Sequence, residues 1–208
     1  MNTRPRCTAF HEAGHVLAFW WNAQRIRRVT VRTRAEALIG PMADLRGNLL
    51  QVKGLVEAEY FVALPAFEPS GIAEYLPSMI DAIERDLLHC FSGPVAEAIY
   101  RHCPSTRFLT RSGAGDRQRA MELISLLPAR KVLDAEPKAI ARSICLVRRY
   151  WPALSTVAQY LHAQGTVNGD EISALLSTLT GETPTRQANP LSSLDSRRCR
   201  PVDACLTG

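Results

Sequence analysis

Lysine is almost missing from this chain. Lys53, Lys131 and Lys138 are its only lysines in a basic set otherwise made of arginine, and 25 Lys and Arg against 20 Asp and Glu leave a net charge of +5. A surplus that small permits weak attraction to acidic partners and little more. The Arg-Arg pairs at 27–28, 148–149 and 197–198 are scattered and not interleaved with aromatics, so no nucleic-acid-binding face is expected. The arginine bias reads as the codon usage of a GC-rich genome. Long apolar runs are also lacking. The longest near the start, 16–21, is far too short to span a bilayer, and residues 1–6 have no apolar core of a secretion signal. No Cys-x-x-Cys spacing occurs among the six cysteines, Cys7, Cys90, Cys103, Cys145, Cys199 and Cys205. They are expected as reduced thiols in a cytoplasmic protein without a membrane span. The adjacent pairs His89-Cys90 and His102-Cys103 read as incidental helix residues. There are no internal repeats, and no Gly-rich phosphate-binding stretch of the Walker type, so no ATPase module is expected in the sequence.

What the chain does contain is concentrated in one stretch, Thr8-Ala9-Phe10-His11-Glu12-Ala13-Gly14-His15-Val16-Leu17-Ala18-Phe19-Trp20-Trp21. On a helix, positions four apart share a face, so His11 and His15 can direct two imidazoles at one metal ion. Glu12 sits one step round, where its carboxylate can reach a water on that metal. The other residues leave almost no polar face, so the helix should be buried, and buried polar groups need partners. A zinc ion with a water would satisfy all three. Gly14 costs such a helix about 1 kcal/mol relative to Ala and suggests that another backbone packs close there.

With 208 residues and 46% hydrophobic content, one domain over 1–181 is expected, followed by a disordered Thr, Ser, Pro and Arg-rich tail over 182–208. The fold class is mainly α with a small β-hairpin near the site. Thr8 is the expected N-cap of the motif helix, which should run to about Gln24. A strand is expected over 25–33, with Leu38-Ile39-Gly40 opening its partner, and an edge strand there could hold an extended peptide. Residues 44–77 are the least readable part; 55–64 fits a strand or a short helix between loops marked by Pro65, Pro69 and Pro77. Helical periodicity follows from Ile80 to Phe91 and on to Tyr100, with a kink or restart expected at Pro94. Glu97 lies on the inner stripe of that helix, either backing a metal-bound histidine or forming an exposed salt bridge. After a loop at 103–111, Asp116 falls in the first turn of a helix carrying Leu123, Ile124 and Leu127. There the helix dipole favours an ionised carboxylate, fit to ligate a metal or merely to cap the helix. Two further helices are expected around Ile140–Val147 and Leu154–Leu161, with Pro152 in a first turn, then a turn at Asn168-Gly169 and a short helix to about Leu179.

Three separated stretches, 10–15 (Phe-His-Glu-Ala-Gly-His), 93–97 (Gly-Pro-Val-Ala-Glu) and 112–120 (Ser-Gly-Ala-Gly-Asp-Arg-Gln-Arg-Ala), together resemble the peptidase domain of FtsH-type zinc metalloproteases, in that family's order. The segment from Leu154 to Ile172 is similar to the end of that domain, and 44–77 is poorly matched, like an insertion. The resemblance implies zinc held by His11, His15 and Asp116, with Glu12 as general base and Glu97 a candidate behind a ligand. Zinc lowers the pKa of its bound water to about 7 and polarises the scissile carbonyl. It also implies a mainly helical fold and a polypeptide substrate, unfolded or flexible. Two departures qualify it. The transmembrane segments and ATPase module of full-length members have no counterpart here, which leaves a stand-alone peptidase or one served by a separate ATPase partner. Pro94 stands where the family has a non-proline residue. A zinc-stabilised binding or regulatory module without turnover is the alternative reading, and oligomeric state is not legible.

Overall fold

The motif helix forms as the sequence demands, but starts earlier. In the computed structural model, which describes residues 3–62, 77–104, 112–185 and 190–195, helix α1 spans Arg6–Trp21. Pro5, not Thr8, occupies the N-cap position, and its carbonyl accepts the Ala9 N–H. Proline suits that place because its fixed φ precedes the first turn and its missing N–H costs nothing there. The helix stops short of Gln24 because Ala23 takes a left-handed backbone, φ 53°. All residues from Ala9 to Trp21 are buried, as an apolar helix requires.

Strand β1 (Ile26–Val31) follows, with Val29 and Val31 in the core. The partner expected at Leu38-Ile39-Gly40 is instead the short helix α2 (Arg34–Ile39). Thr33 and Glu36 cap it reciprocally, the Thr hydroxyl accepting the Glu36 N–H and the Glu carboxylate accepting the Thr33 N–H. That pairing overrides the apolar Leu-Ile pair as a strand signal. A small hairpin comes next, β2 (Met42–Ala43) with β3 (Leu49–Leu50). The true partner of β1 is β4 (Gly54–Ala58), which overlaps the first part of the stretch 55–64 left open between strand and helix. With β5 (Thr166–Asn168) the sheet is antiparallel in the order β4-β1-β5, and Val29 pairs with both Val56 and Val167.

The remaining elements are helical: α3 (Pro77–Tyr100), α4 (Ala114–Ser125), α5 (Ala129–Arg149), α6 (Trp151–Gln164) and α7 (Gly169–Thr180). The structure is thus mainly helical with a small antiparallel sheet. Helix α3 passes Pro94 as one element, and Pro77, read as a loop mark, opens it. Pro152 lies in the first turn of α6, and Asn168 caps α7 by accepting the Asp170 N–H at 2.8 Å. Two apolar clusters form the core. One gathers α1, β1, the second half of α5, α6 and α7; the other joins the first half of α3 to α4 and the first half of α5. Helix α3 belongs to both, through Leu88, Val95 and Ala96 on one side and Ile83, Leu87 and Phe91 on the other. Among the described residues no helix is long and apolar enough to cross a membrane.

Two expectations at the C-terminal end change. Leu191 and Leu194, in the stretch expected to be disordered, are buried in the first cluster, and Asp195 pairs with Arg142. Cys145 is disulfide-bonded, not reduced as expected, whereas Cys7, Cys90 and Cys103 are free thiols. The loop signals at Pro65 and Pro69 and the tail beyond 195 also lie outside the described residues.

Candidate metal centre

Helices α1 and α3 cross where both carry glycine. A Cβ on Gly14 would stand 2.3 Å from the Ser92 carbonyl oxygen, so the bare backbone of α1 lets α3 approach, as the motif suggested. A Cβ on Gly93 would stand 2.2 Å from His15 Nε2 and would occupy the space of the imidazole. The two histidines of α1 therefore lie pressed between their own helix and α3.

Each imidazole is pinned from behind. His15 Nδ1 donates to the His89 main-chain carbonyl at 2.8 Å. His11 Nδ1 faces Glu97 Oε2 at 3.2 Å. In the neutral imidazoles both bonds keep the ring proton on Nδ1 and turn the Nε2 lone pair forward, where a second proton or a metal ion can bind. Those two Nε2 atoms are 3.0 Å apart. The Asp116 carboxylate completes the group, Oδ2 at 3.2 Å from His11 Nε2 and Oδ1 at 3.4 Å from His15 Nε2. One ligand-capable atom from each of His11, His15 and Asp116 lies within 4.8 Å of the others. Three electron pairs facing one point repel unless a positive charge sits between them. Two imidazoles and a carboxylate are a donor set that zinc accepts.

The electrostatics point the same way. Burial works against charge on His11, but hydrogen bonds to Asp116 and Glu97 outweigh it and raise its pKa to about 10. His15 is likewise raised by Asp116 against its burial. Burial would lift Asp116, yet the two histidines hold its carboxyl far below the usual range. Glu97 is also lowered despite burial, by His11 and by the Ser112 hydroxyl, which donates to Oε2 at 2.7 Å; Arg101 Nε contacts Oε1 at 2.9 Å. Of the two roles open to Glu97, the geometry shows both contacts at once, one to a histidine inside and one to an arginine outside.

Glu12 behaves differently. Its pKa is raised, chiefly by burial, and its carboxyl lies against the backbone of β4, where a Cβ on Gly54 would stand 2.4 Å from Oε1. It lines, with His11, His15 and Asp116, a cleft of about 470 Å³. One wall is the α1 face from Cys7 to Phe19, and the opposite wall runs from Gln51 through Val56 to Tyr60. Among the described residues β4 pairs with β1 alone, and its Gly54, Leu55 and Val56 line the cleft.

The structure thus brings His11, Glu12, His15, Glu97 and Asp116 together. Reasoning from sequence missed the parts supplied by backbone and by unreadable segments: the His89 carbonyl, Ser112, the β4 wall and Tyr60. Ser112 was within a quoted stretch, but a serine two residues before a helix carries no signal of its own. Beneath the site, buried Asp86 accepts the Phe61 and Val62 N–H groups at 3.0 and 2.8 Å, and its Oδ1 lies 3.2 Å from His89 Nδ1. That anchor ties the end of the β4 wall to the helix that holds His15. Tyr60, its phenol pKa raised by burial, stacks beneath the Arg119 guanidinium at 3.8 Å and meets Phe19 edge-on at 5.1 Å. Compared with known protein families, the chain matches no family model, and no curated protein matches its sequence.

Proposed function

We propose that this protein is a zinc-dependent endopeptidase that cleaves unfolded or flexible polypeptide segments. The observation carrying the reading is the convergence of the His11 and His15 Nε2 lone pairs and the Asp116 carboxylate on one point in a cleft that also contains the buried Glu12 carboxyl. His11, His15 and Asp116 would hold the metal, with Glu97 and the His89 carbonyl fixing the imidazoles behind it. A zinc ion held there would supply Lewis acidity toward the scissile carbonyl and acidify a water. Glu12 would be the group that takes a proton from the attacking water and passes it to the departing amine, a task suited to a carboxyl whose pKa burial has raised. The edge of β4 away from β1 would offer main-chain hydrogen bonds to an extended peptide. The resemblance of the short stretches 10–15, 93–97 and 112–120 to FtsH-type peptidases is in keeping with the same reading, and an ATPase partner supplied by a separate chain is compatible with it.

The test is zinc stoichiometry together with cleavage of β-casein, for wild type and variants. Glu12→Gln should bind one zinc and cut nothing. His15→Ala and Asp116→Ala should lose the metal. Zinc in the wild type without cleavage would instead make the protein a metal-stabilised binding module or a peptidase awaiting an ATPase. Failure to bind zinc at all would end the proposal.

A further inference from the structure

Helix α2 and the hairpin after it are built in an unusual way. None of the six residues of α2 is buried. Polar bonds fasten it: the Thr33–Glu36 cap, and the Arg32 guanidinium donating to the Glu36 carbonyl and, at 2.7 Å, to the Gly40 carbonyl, while Ala35 and Ala37 are half-buried. Its apolar pair is left outside, Leu38 at 78% exposure and Ile39 at 86%. In the hairpin, Leu49 is 70% and Leu45 53% exposed. Four of the seven large hydrophobics exposed among the described residues therefore fall within 38–49. Such residues contribute nothing to the core, and clustering of this kind marks a binding surface more than scattered exposure does.

The surface is continuous with the cleft. Gln51 Nε2 donates to the Ala37 carbonyl at 3.1 Å, setting the last turn of α2 against the strand that leaves the hairpin. From Leu49 that strand runs through Gln51, Val52 and Lys53, which line the cleft, directly into β4. The five residues of β4 offer an extended chain about 17 Å of edge. A longer chain must leave the cleft, and at the Gly54 end it meets the last turn of α2 with Leu38 and Ile39, while the hairpin tip lies beside the other half of β4, where the Leu45 N–H donates to the Glu57 carboxylate.

We infer that α2 and the β2–β3 hairpin form a docking surface for the part of an unfolded polypeptide that extends beyond the cleft, an inference that rests on the peptidase reading for its choice of occupant. The occupant is an unfolded chain with apolar side chains because the flank offers exposed Leu and Ile and reaches the edge strand without a break. A folded protein could not follow the strand into the cleft. The flank would let the protein select unfolded chains by binding them, in place of an ATPase that unfolds them.

The experiment compares wild type with Leu38→Ser/Ile39→Ser and with Leu49→Ser, all as full chains with unchanged circular dichroism. Fluorescein-labelled β-casein reports binding by anisotropy, measured in the Glu12→Gln background so that no cleavage intervenes. A quenched pentapeptide, no longer than the β4 edge and so too short to reach the flank, reports cleavage in the active background. The inference expects casein affinity to fall about tenfold in the double variant, with pentapeptide kcat/KM unchanged. Unchanged casein affinity overturns it, and so does an equal loss on both substrates. A wild-type dimer that the double variant converts to monomer also overturns it, by making a second copy the occupant. If zinc-loaded wild type cuts neither substrate while casein affinity still depends on Leu38 and Ile39, the docking surface stands and the peptidase reading falls.

Discussion

His11 carries the sharpest consequence of the site at the level of single residues. With a pKa raised to about 10, it holds a proton at pH 7, and a metal ligand must give that proton up. The sign follows directly: zinc uptake at pH 7 releases protons, and apparent affinity rises with pH until it levels off near 10. Calorimetry in buffers of different ionisation enthalpy measures the release, and zero protons displaced would contradict the arrangement of His11 between two carboxylates. Glu97 is a second test at this scale. If it orients His11 by accepting the Nδ1 proton, Glu97→Gln should weaken zinc about 10- to 100-fold without unfolding the protein. A competition titration against a chromophoric chelator reads this. Unaltered affinity would assign Glu97 to its Arg101 salt bridge alone.

Among the elements, the crossing of α1 and α3 sets the geometry, and Gly14 is where opposing effects can be weighed. Replacing glycine by alanine in a helix gains about 1 kcal/mol from propensity. At Gly14 the new Cβ would meet the Ser92 carbonyl oxygen at 2.3 Å and Ala96 Cβ at 2.7 Å, both fixed to the backbone. Overpacking of that kind costs about 1–3 kcal/mol and should win. Urea denaturation of Gly14→Ala should therefore show a less stable protein; a more stable one would mean that the helices separate easily. The role of Gly14 was legible because an inserted glycine in an otherwise apolar helix has few other uses. The helices were legible for two reasons: apolar residues recur three or four apart along α3 and α6, and α1 is apolar on nearly every side. The sheet was less so. Leu38-Ile39 looked like a strand because two apolar side chains were counted, whereas the local cap of Thr33 and Glu36 decided the outcome. Strand β4 carried no clear alternation, since all five of its residues are half-buried between α1 and solvent. Asp116 and Glu97 could be nominated, as a candidate ligand and as a group behind a ligand, but not chosen, because only tertiary packing brings residues 105 and 86 positions away from His11 to its ring.

For the molecule as a whole, the candidate centre lies on the seam between its two apolar clusters. His11 and His15 belong to α1, in the first cluster, and Asp116 belongs to α4, whose Ala120, Leu123 and Ile124 sit in the second. Helix α3 and helix α5 join the clusters by packing, but the carboxylate of Asp116 reaches across to the imidazoles directly. A metal held by all three would therefore link the clusters as well as serve chemistry, and a ligand that binds only the folded form stabilises it by mass action. The stabilisation should be uneven. Helix α6 lies within one cluster and gains only the global term. Helix α4 hangs from the second cluster by three buried side chains and would gain a metal-coordination tether at its first turn. Amide hydrogen exchange with and without zinc should show added protection over 114–125 that exceeds any gain over 151–164, and Asp116→Ala should abolish the difference. Uniform protection, or protection confined to α1, would mean that Asp116 does not bind the metal and that the two clusters are joined by packing alone.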